Sequence, residues 1–286
     1  MKIETVVVTG SSSGIGRATA LRLARSGYRV VAGVRSAADG QSLEAELNGD
    51  GGHIDPVEID VTDPHTIETA RARAKDLTDS DGLVGLVNNA GIPVTGPMEV
   101  LPIADLRREL DVNLTGQIAV SQAFLPMLRA AEGRIVFVSS IGGQLVFPFA
   151  GAYHASKFGL EAAAEALRTE LKGSGVDVAI VEPGVTDSRI WEKAVEQARD
   201  LMANLPAPQR NLYEQDMERF EERLRQTRDG ENMSADTVAA KIEKALTATR
   251  PPSRLPIGIG AKIGYRLRPV IPDKVWAIAS RRPFSN

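Results

Sequence analysis

Thr9-Gly10-Ser11-Ser12-Ser13-Gly14-Ile15-Gly16 is the stretch on which the reading of the fold turns. It follows a short apolar run, Ile3 to Thr9, and opens a segment with helical spacing, so its glycines stand at a strand-to-helix turn. Glycine takes positive φ without a Cβ penalty and lets a ligand approach the main chain. A helix N-terminus adds free N–H donors and the positive end of a dipole. A dinucleotide phosphate belongs at such a turn, which makes Gly10, Ser12, Ser13, Gly14, Ile15 and Gly16 candidate cofactor contacts. The spacing is GxxxGxG, wider than the GxGxxG of the common dinucleotide fingerprint, and an ordinary strand-to-helix turn is the plain alternative.

Further apolar runs of strand length follow at Tyr28 to Val34, His53 to Asp60, Leu83 to Asn88, Gly133 to Ser139 and Val176 to Glu182, separated by segments of helical spacing. Strands that are apolar at consecutive positions are buried on both faces, and helical crossovers impose parallel pairing. The pattern predicts an α/β doubly wound parallel sheet whose body spans roughly the first 185 residues. The longest helical patterns are Pro102 to Ala131 and the alanine-rich Gly151 to Gly173.

The chain of 286 residues reads as a single domain, 1–286, with elaborations. Its 43% hydrophobic and 25% charged residues suit a globular protein with a sizeable core. A formal net charge of -3 argues against a nucleic-acid partner. There is no cysteine, which removes disulfides, thiolate catalysis and cysteine zinc sites, and His53 and His65 make no ligand cluster, so no metal is expected. The N-terminus shows no signal-peptide pattern and no run is long enough to span a bilayer; the expected location is the cytoplasm.

After Ser188 a charged insertion, 189–232, replaces the sheet pattern. Within it Tyr213, Met217, Phe220 and Leu224 share one helix face, either as a core-packing stripe or as part of a substrate-covering lid. A helix from Ser234 to Thr249 and a strand from Arg254 to Ile259 return the chain to the sheet. The C-terminal extension, 261–286, sets Lys262, Arg266, Arg268, Lys274, Arg281 and Arg282 against the single acid Asp273, with Tyr265, Trp276 and Phe284 interleaved. Such a tail covers a subunit's own apolar surface more often than it rests on a membrane, and both readings stay open.

Tyr153 and Lys157 are four residues apart in a helical pattern, so both project from one face into one cleft. A tyrosine near its ordinary pKa of about 10 is a poor proton shuttle at neutral pH, and an adjacent ammonium stabilises its phenolate. The GxxxGxG turn, Asn88-Asn89-Ala90-Gly91 after the fourth strand and Tyr153-x-x-x-Lys157 occur in the order found in the short-chain dehydrogenase/reductase superfamily. The chain resembles that superfamily from about Lys2 to Ser188, and Gly133 to Ser140 and Tyr153 to Leu160 resemble its hydroxysteroid and retinol dehydrogenase branch.

The resemblance implies a Rossmann-like fold, a nicotinamide dinucleotide cofactor and a homodimer or homotetramer. It implies that Tyr153 exchanges a proton with the substrate oxygen while hydride passes between cofactor and carbon. Ser140, thirteen positions before Tyr153, is the implied substrate-orienting serine, and Asn113 the asparagine that holds a water near the lysine. Ser139 competes with Ser140 but points to the opposite face of the strand end. His154 points off the shared face and reads as a supporting residue. Asp60 and Val61 are implied to meet the adenine, and Asn89, Ala90 and Gly91 the adenosine ribose. Pro183-Gly184-Val185-Thr186-Asp187-Ser188 is implied to close over the nicotinamide, its threonine role falling to Ser188 or Thr186.

Cofactor choice rests on the end of the second strand, Gly33-Val34-Arg35-Ser36. An acid there would accept hydrogen bonds from the ribose diol, whereas a base pairs with a 2′-phosphate. With no carboxylate and with Arg35 in place, NADP(H) is favoured over NAD(H), although the family's second base is replaced by Ser13. Ile92, Pro93, Val94, Met98, Leu145, Val146, Phe147 and Phe149 are expected to border a cleft for a small apolar alcohol or carbonyl compound, steroid-, retinoid- or lipid-like. The rival functions are an NAD-preferring dehydrogenase and a nucleotide-sensing module without turnover.

Overall fold

The computed structural model describes residues 3–47, 51–78, 82–186, 189–231, 233–267, 270–272 and 274–275. The chain begins with strand β1 (Thr5–Val8), helix α1 (Gly14–Arg25), β2 (Arg29–Val34), α2 (Ala37–Leu47), β3 (His53–Glu58), α3 (Pro64–Thr78) and β4 (Gly85–Asn88). It continues through α4 (Ile103–Leu110), α5 (Gly116–Ala130), β5 (Arg134–Val138), α6 (Gly151–Glu170) and β6 (Asp177–Pro183). Helices α7 (Arg189–Ala203), α8 (Ala207–Glu231) and α9 (Ala235–Thr247), strand β7 (Arg254–Ile257) and α10 (Ile259–Leu267) complete it.

The strands form one parallel seven-stranded sheet in the order β3-β2-β1-β4-β5-β6-β7. Alternation along each strand sends neighbours to opposite faces, and both faces are covered. Val6 and Val8 of β1 pack towards α1, α2 and α9, with Leu23, Leu43 and Ile242. Val7 packs the other way, against α3, α5 and α6, with Ile67, Phe124 and Leu160. The sheet is the expected doubly wound, Rossmann-like one. Pro56 sits in β3, an edge strand, where its missing N–H breaks no ladder.

Strand order reverses between β1 and β4, where Val8 lies opposite Val87, and ligands of open α/β sheets bind at the carboxyl ends of the strands at such a point. The helix expected from Pro102 to Ala131 keeps right-handed helical backbone through Leu110 and Gly116 but contains a wider π turn, Asp111–Thr115, between α4 and α5. Gly116 is required there, because a Cβ would lie 2.7 Å from the Val61 carbonyl and 2.8 Å from that of Asp111.

The insertion is an α7–α8 pair. Met217 and Phe220 are buried with Ala198 and Met202 and pack on Tyr213, Leu205 and Phe149, while Leu224 is half-buried. The stripe is therefore a packing face. The pair also reaches the body of the protein: Thr95 Oγ1 donates to the Ala194 carbonyl at 2.7 Å, and Tyr213 bonds Glu99. The strand expected to end at Ile259 ends at Ile257, and α10 follows on Gly258 at φ +98°. Gly264 packs α10 onto Leu145 and Ile141, so the start of the extension covers the protein's own surface, while Ile259, Ile263 and Leu267 face outward. Arg268, Asp273, Trp276, Arg281, Arg282 and Phe284 lie outside the described residues. Among the described residues no helix is long and apolar enough to cross a membrane, and no group of acids and histidines is spaced to hold a metal ion.

Candidate active site

A cleft of about 910 Å³ opens at the carboxyl ends of the strands. Its dinucleotide side starts from the main chain. Gly10 and Gly14 take φ +68° and +55°, which L side chains rarely adopt. A Cβ on Gly16 would stand 2.1 Å from the Gly10 carbonyl oxygen, so the turn closes only around glycine. Thr9 Oγ1 accepts from the N–H groups of Asn89 and Ala90, both at 3.0 Å, and Asn89 Nδ2 donates to the Thr9 carbonyl at 2.9 Å. These bonds tie the glycine turn to the Asn89-Ala90-Gly91 segment across the switch point. Ser13, the N-cap of α1, makes no side-chain cap bond and the first turn carries no acid, which leaves the helix N–H donors to the cleft. That uncapped end and the glycine cradle fit the pyrophosphate of a nicotinamide dinucleotide.

Gly10, Ser12, Ser13, Gly14, Ile15 and Gly16 all line this cleft, as do Arg35, Asp60, Val61, Asn89, Ala90 and Gly91. Arg35 is exposed at the end of β2. The Asp60 carboxyl is lowered from its ordinary range, chiefly by Thr62, whose hydroxyl and N–H donate to Oδ1 at 2.6 and 2.9 Å, with Arg35 assisting. Pro183, Gly184 and Thr186 line the far end; Val185 is half-buried and does not. Asp187 and Ser188 lie outside the described residues.

The catalytic side is built from side chains. Tyr153, in the first turn of α6, Lys157 one turn on, and Ser140, after β5, line the same cleft and are buried. The Ser140 hydroxyl hydrogen-bonds Tyr153 and accepts from the Gly142 N–H at 3.0 Å. Lys157 Nζ donates to the Val138 carbonyl at 3.0 Å and stands 5.8 Å from the centre of the Tyr153 ring. Burial governs both groups: it pushes the Tyr153 phenol up to about 12 and Lys157 down to about 8. The lowering of Tyr153 expected from the lysine does not emerge: the Ser140 hydrogen bond lowers it, and the loss of water around the phenol outweighs that bond.

Asn113 does not line the cleft. It is fully buried in the π turn, accepts from the Ile92 N–H at 2.8 Å and donates its two Nδ2 hydrogens to the Ile92 carbonyl at 2.7 Å and Glu109 Oε1 at 2.5 Å, with Ser156 Oγ also near, 3.1 Å from Nδ2. Glu109 and Ser156 were missed by the sequence reading. The available signal was Glu109 four residues before Asn113, on the same helix face. His154 accepts the Phe147 N–H on Nε2 at 3.0 Å, so its Nδ1 donates to the Gly142 carbonyl at 2.9 Å; it pins the 142–147 loop, and burial keeps it neutral. Ser139 also lines the cleft, but its Oγ is buried beside Gly143, on the Glu161 side.

Of the eight residues expected to border an apolar substrate, Ile92 and Pro93 line the cleft. Val94 is buried against Leu101 and Ala152, Leu145 lies under α10, and Phe149 packs on Phe220 and Tyr213. Met98, Val146 and Phe147 are exposed. Apolar composition marked the loops, but their packing partners, α7, α8 and α10, decide which side chains remain for a ligand. Lys193 of α7 reaches the cleft edge.

The short chain dehydrogenase family model matches residues 4–199. The chain belongs to this family. Among relatives of this short-chain dehydrogenase, 17-beta-hydroxysteroid dehydrogenase type 6 of Bos taurus is 36% identical over 91% of this chain and 82% of its own. Retinol dehydrogenase 16 of Mus musculus is 35% identical over the same shares, 91% and 82%. A short-chain dehydrogenase from Streptomyces avermitilis superposes with a TM-score of 0.75 at 27% identity, covering 98% of each chain. The chain is thus an NAD(P)-dependent oxidoreductase of alcohol and carbonyl groups, in the hydroxysteroid and retinol dehydrogenase branch.

Proposed function

We propose that this short-chain dehydrogenase interconverts an apolar alcohol and its carbonyl compound with NADP(H), Tyr153 acting as general acid and base. The observation that carries this reading is the buried Tyr153–Ser140 hydrogen bond in the lining of the cleft, with Lys157 one helical turn on from Tyr153. A bound nicotinamide would supply or accept the hydride. In the reducing direction Tyr153 gives its phenol proton to the oxygen that becomes the hydroxyl, and Ser140 holds that oxygen by its own hydroxyl. The Lys157 ammonium stabilises the phenolate left behind. Asn113 anchors the segment at Ile92, on the wall of the same cleft.

NADP(H) is favoured by Arg35, a cation at the end of β2 where no carboxylate competes for the ribose. An apolar substrate is supported by Ile92 and Pro93 and by relatives named for retinol and a hydroxysteroid. A role for the α7–α8 insertion in covering the substrate end is supported by Lys193 of α7, which lines the cleft. Fluorescence titration of the protein and of R35A with NADPH and NADH tests the cofactor assignment. NADPH is expected to bind at least about tenfold more tightly, since a charge-assisted contact contributes about 1.5–3 kcal/mol, and R35A to erase the difference. Tighter binding of NADH by the unaltered protein would overturn the assignment.

A further inference from the structure

Glu109 is a carboxylic acid with no access to water, placed at the one junction where α4, the π turn and α6 meet. Its Oε1 accepts from Asn113 Nδ2 at 2.5 Å and from Ser156 Oγ at 3.3 Å. The single Ser156 hydroxyl proton has the Tyr153 carbonyl at 2.8 Å as its shorter acceptor and Oε1 as its longer one, so the acid, the serine and the first turn of α6 form one unit. Oε2 is buried and makes no hydrogen bond among the described residues. Taking a carboxyl out of water costs free energy that an apolar side chain in the same place would not incur, even with the Val94 N–H beside it. The position therefore calls for a role besides packing.

The charges around it define that role. Lys157 is the buried cation that acts on Glu109, and Glu109 is the acid that acts on Lys157; Arg108, on the exposed side of α4, adds a weaker contribution, and the Val94 N–H also favours the charged carboxyl. Tyr153 is the remaining titratable group that feels the carboxylate. Neither Asn113 nor Ser156 carries charge. Building on the proposed proton chemistry, we propose that Glu109 is a positioning residue that sets the charge state of Lys157, and so the pH range in which Tyr153 exchanges its proton with substrate, while clamping Asn113 and Ser156 in place.

Two opposed effects make this work. Burial pushes the Glu109 carboxyl up and the Lys157 ammonium down, while each favours the ion in the other. When Glu109 ionises it holds the proton on Lys157; without it, burial alone acts on the lysine, which gives up its proton at lower pH. A neutral lysine no longer stabilises the Tyr153 phenolate, so the alkaline limb of carbonyl reduction follows Lys157.

The test is a carbon-13 NMR titration of the lysine side chains in wild type, E109Q, E109M and E109D, with K157R identifying the Lys157 signal. E109Q keeps an acceptor for Asn113 and Ser156 but no charge; E109M lacks both and is read in its place should E109Q not fold. The Lys157 midpoint is expected to fall by about one pH unit or more in the uncharged variants, as for loss of a nearby opposite charge, and to stay close to wild type in E109D. The alkaline limb of kcat/KM for ketone reduction should move with it. An unchanged Lys157 midpoint in the uncharged variants would overturn the proposal. If the midpoint falls as expected but wild type reduces no carbonyl compound with either dinucleotide, the proposed reaction fails and the hold of Glu109 on Lys157 stands.

Discussion

The dinucleotide side of the cleft is shaped by backbone, with Gly10 at φ +68° and Gly14 at +55°, whereas the catalytic side is shaped by buried side chains: Ser140, Tyr153, Lys157, Asn113 and Glu109. Main-chain N–H groups have no titration and no rotamers, and a helix end aims them without further help. Side chains buried together shift one another's proton affinity, as Glu109, Lys157 and Tyr153 do, and they must be held by residues such as Ser156 and His154. One side is damaged by adding an atom; the other is damaged by removing one.

That contrast can be broken experimentally. The largest expected effect is Y153F, which takes one oxygen from the catalytic side: kcat should fall about 10²–10⁴-fold, the range of general acid–base catalysis, with dinucleotide affinity unchanged. Steady-state kinetics beside a binding titration checks this, and a rate near wild type would remove Tyr153 from the mechanism. Next is G16A on the other side. Its methyl would meet the Gly10 carbonyl at 2.1 Å and Asn89 Nδ2 at 2.4 Å, so the turn must open. Denaturant melts should show about 1–3 kcal/mol of lost stability, as for other overpacked sites, together with weakened binding of NADPH. Full stability and full affinity would mean that the turn is not the rigid cradle described.

The smallest effect sharpens the comparison. H154F removes the acceptor for the Phe147 N–H and the donor to Gly142, loosening the loop after Ser140 without touching the glycine turn. KM for a carbonyl substrate should rise about 2- to 10-fold, equivalent to roughly 0.5–1.5 kcal/mol for a net hydrogen bond, while dinucleotide affinity holds. A parallel change in both would show that the two sides are coupled through the sheet.

The uneven legibility of the chain has the same origin. The order of strands and helices was readable because the central strands β1, β2, β4 and β5 are apolar at consecutive positions and the crossovers have helical spacing, both local properties. The glycine turn was readable because its donors and its conformational freedom lie within eight consecutive residues. Tyr153 and Lys157 were readable because helix geometry places residues four apart on one face. Boundaries drifted where an end is set by packing, as at Ile257, and the π turn left no mark in the apolar pattern.

Glu109 shows where sequence stops being informative. In the sequence it is one acid among the charged residues of a helical stretch; only the approach of α6 and the Ile92–Val94 segment to that helix takes it from water and sets it against Lys157. The fate of Val94, Leu145 and Phe149 is the same lesson for apolar residues, since α7, α8 and α10 decide what stays uncovered. The sequence alone determined the sheet, the cofactor turn and the Tyr153–Lys157 spacing, because periodicity and glycine act over a few residues. Desolvation, charge coupling and the walls of the substrate end were decided by the tertiary structure, because burial and electrostatic interaction depend on distance in space.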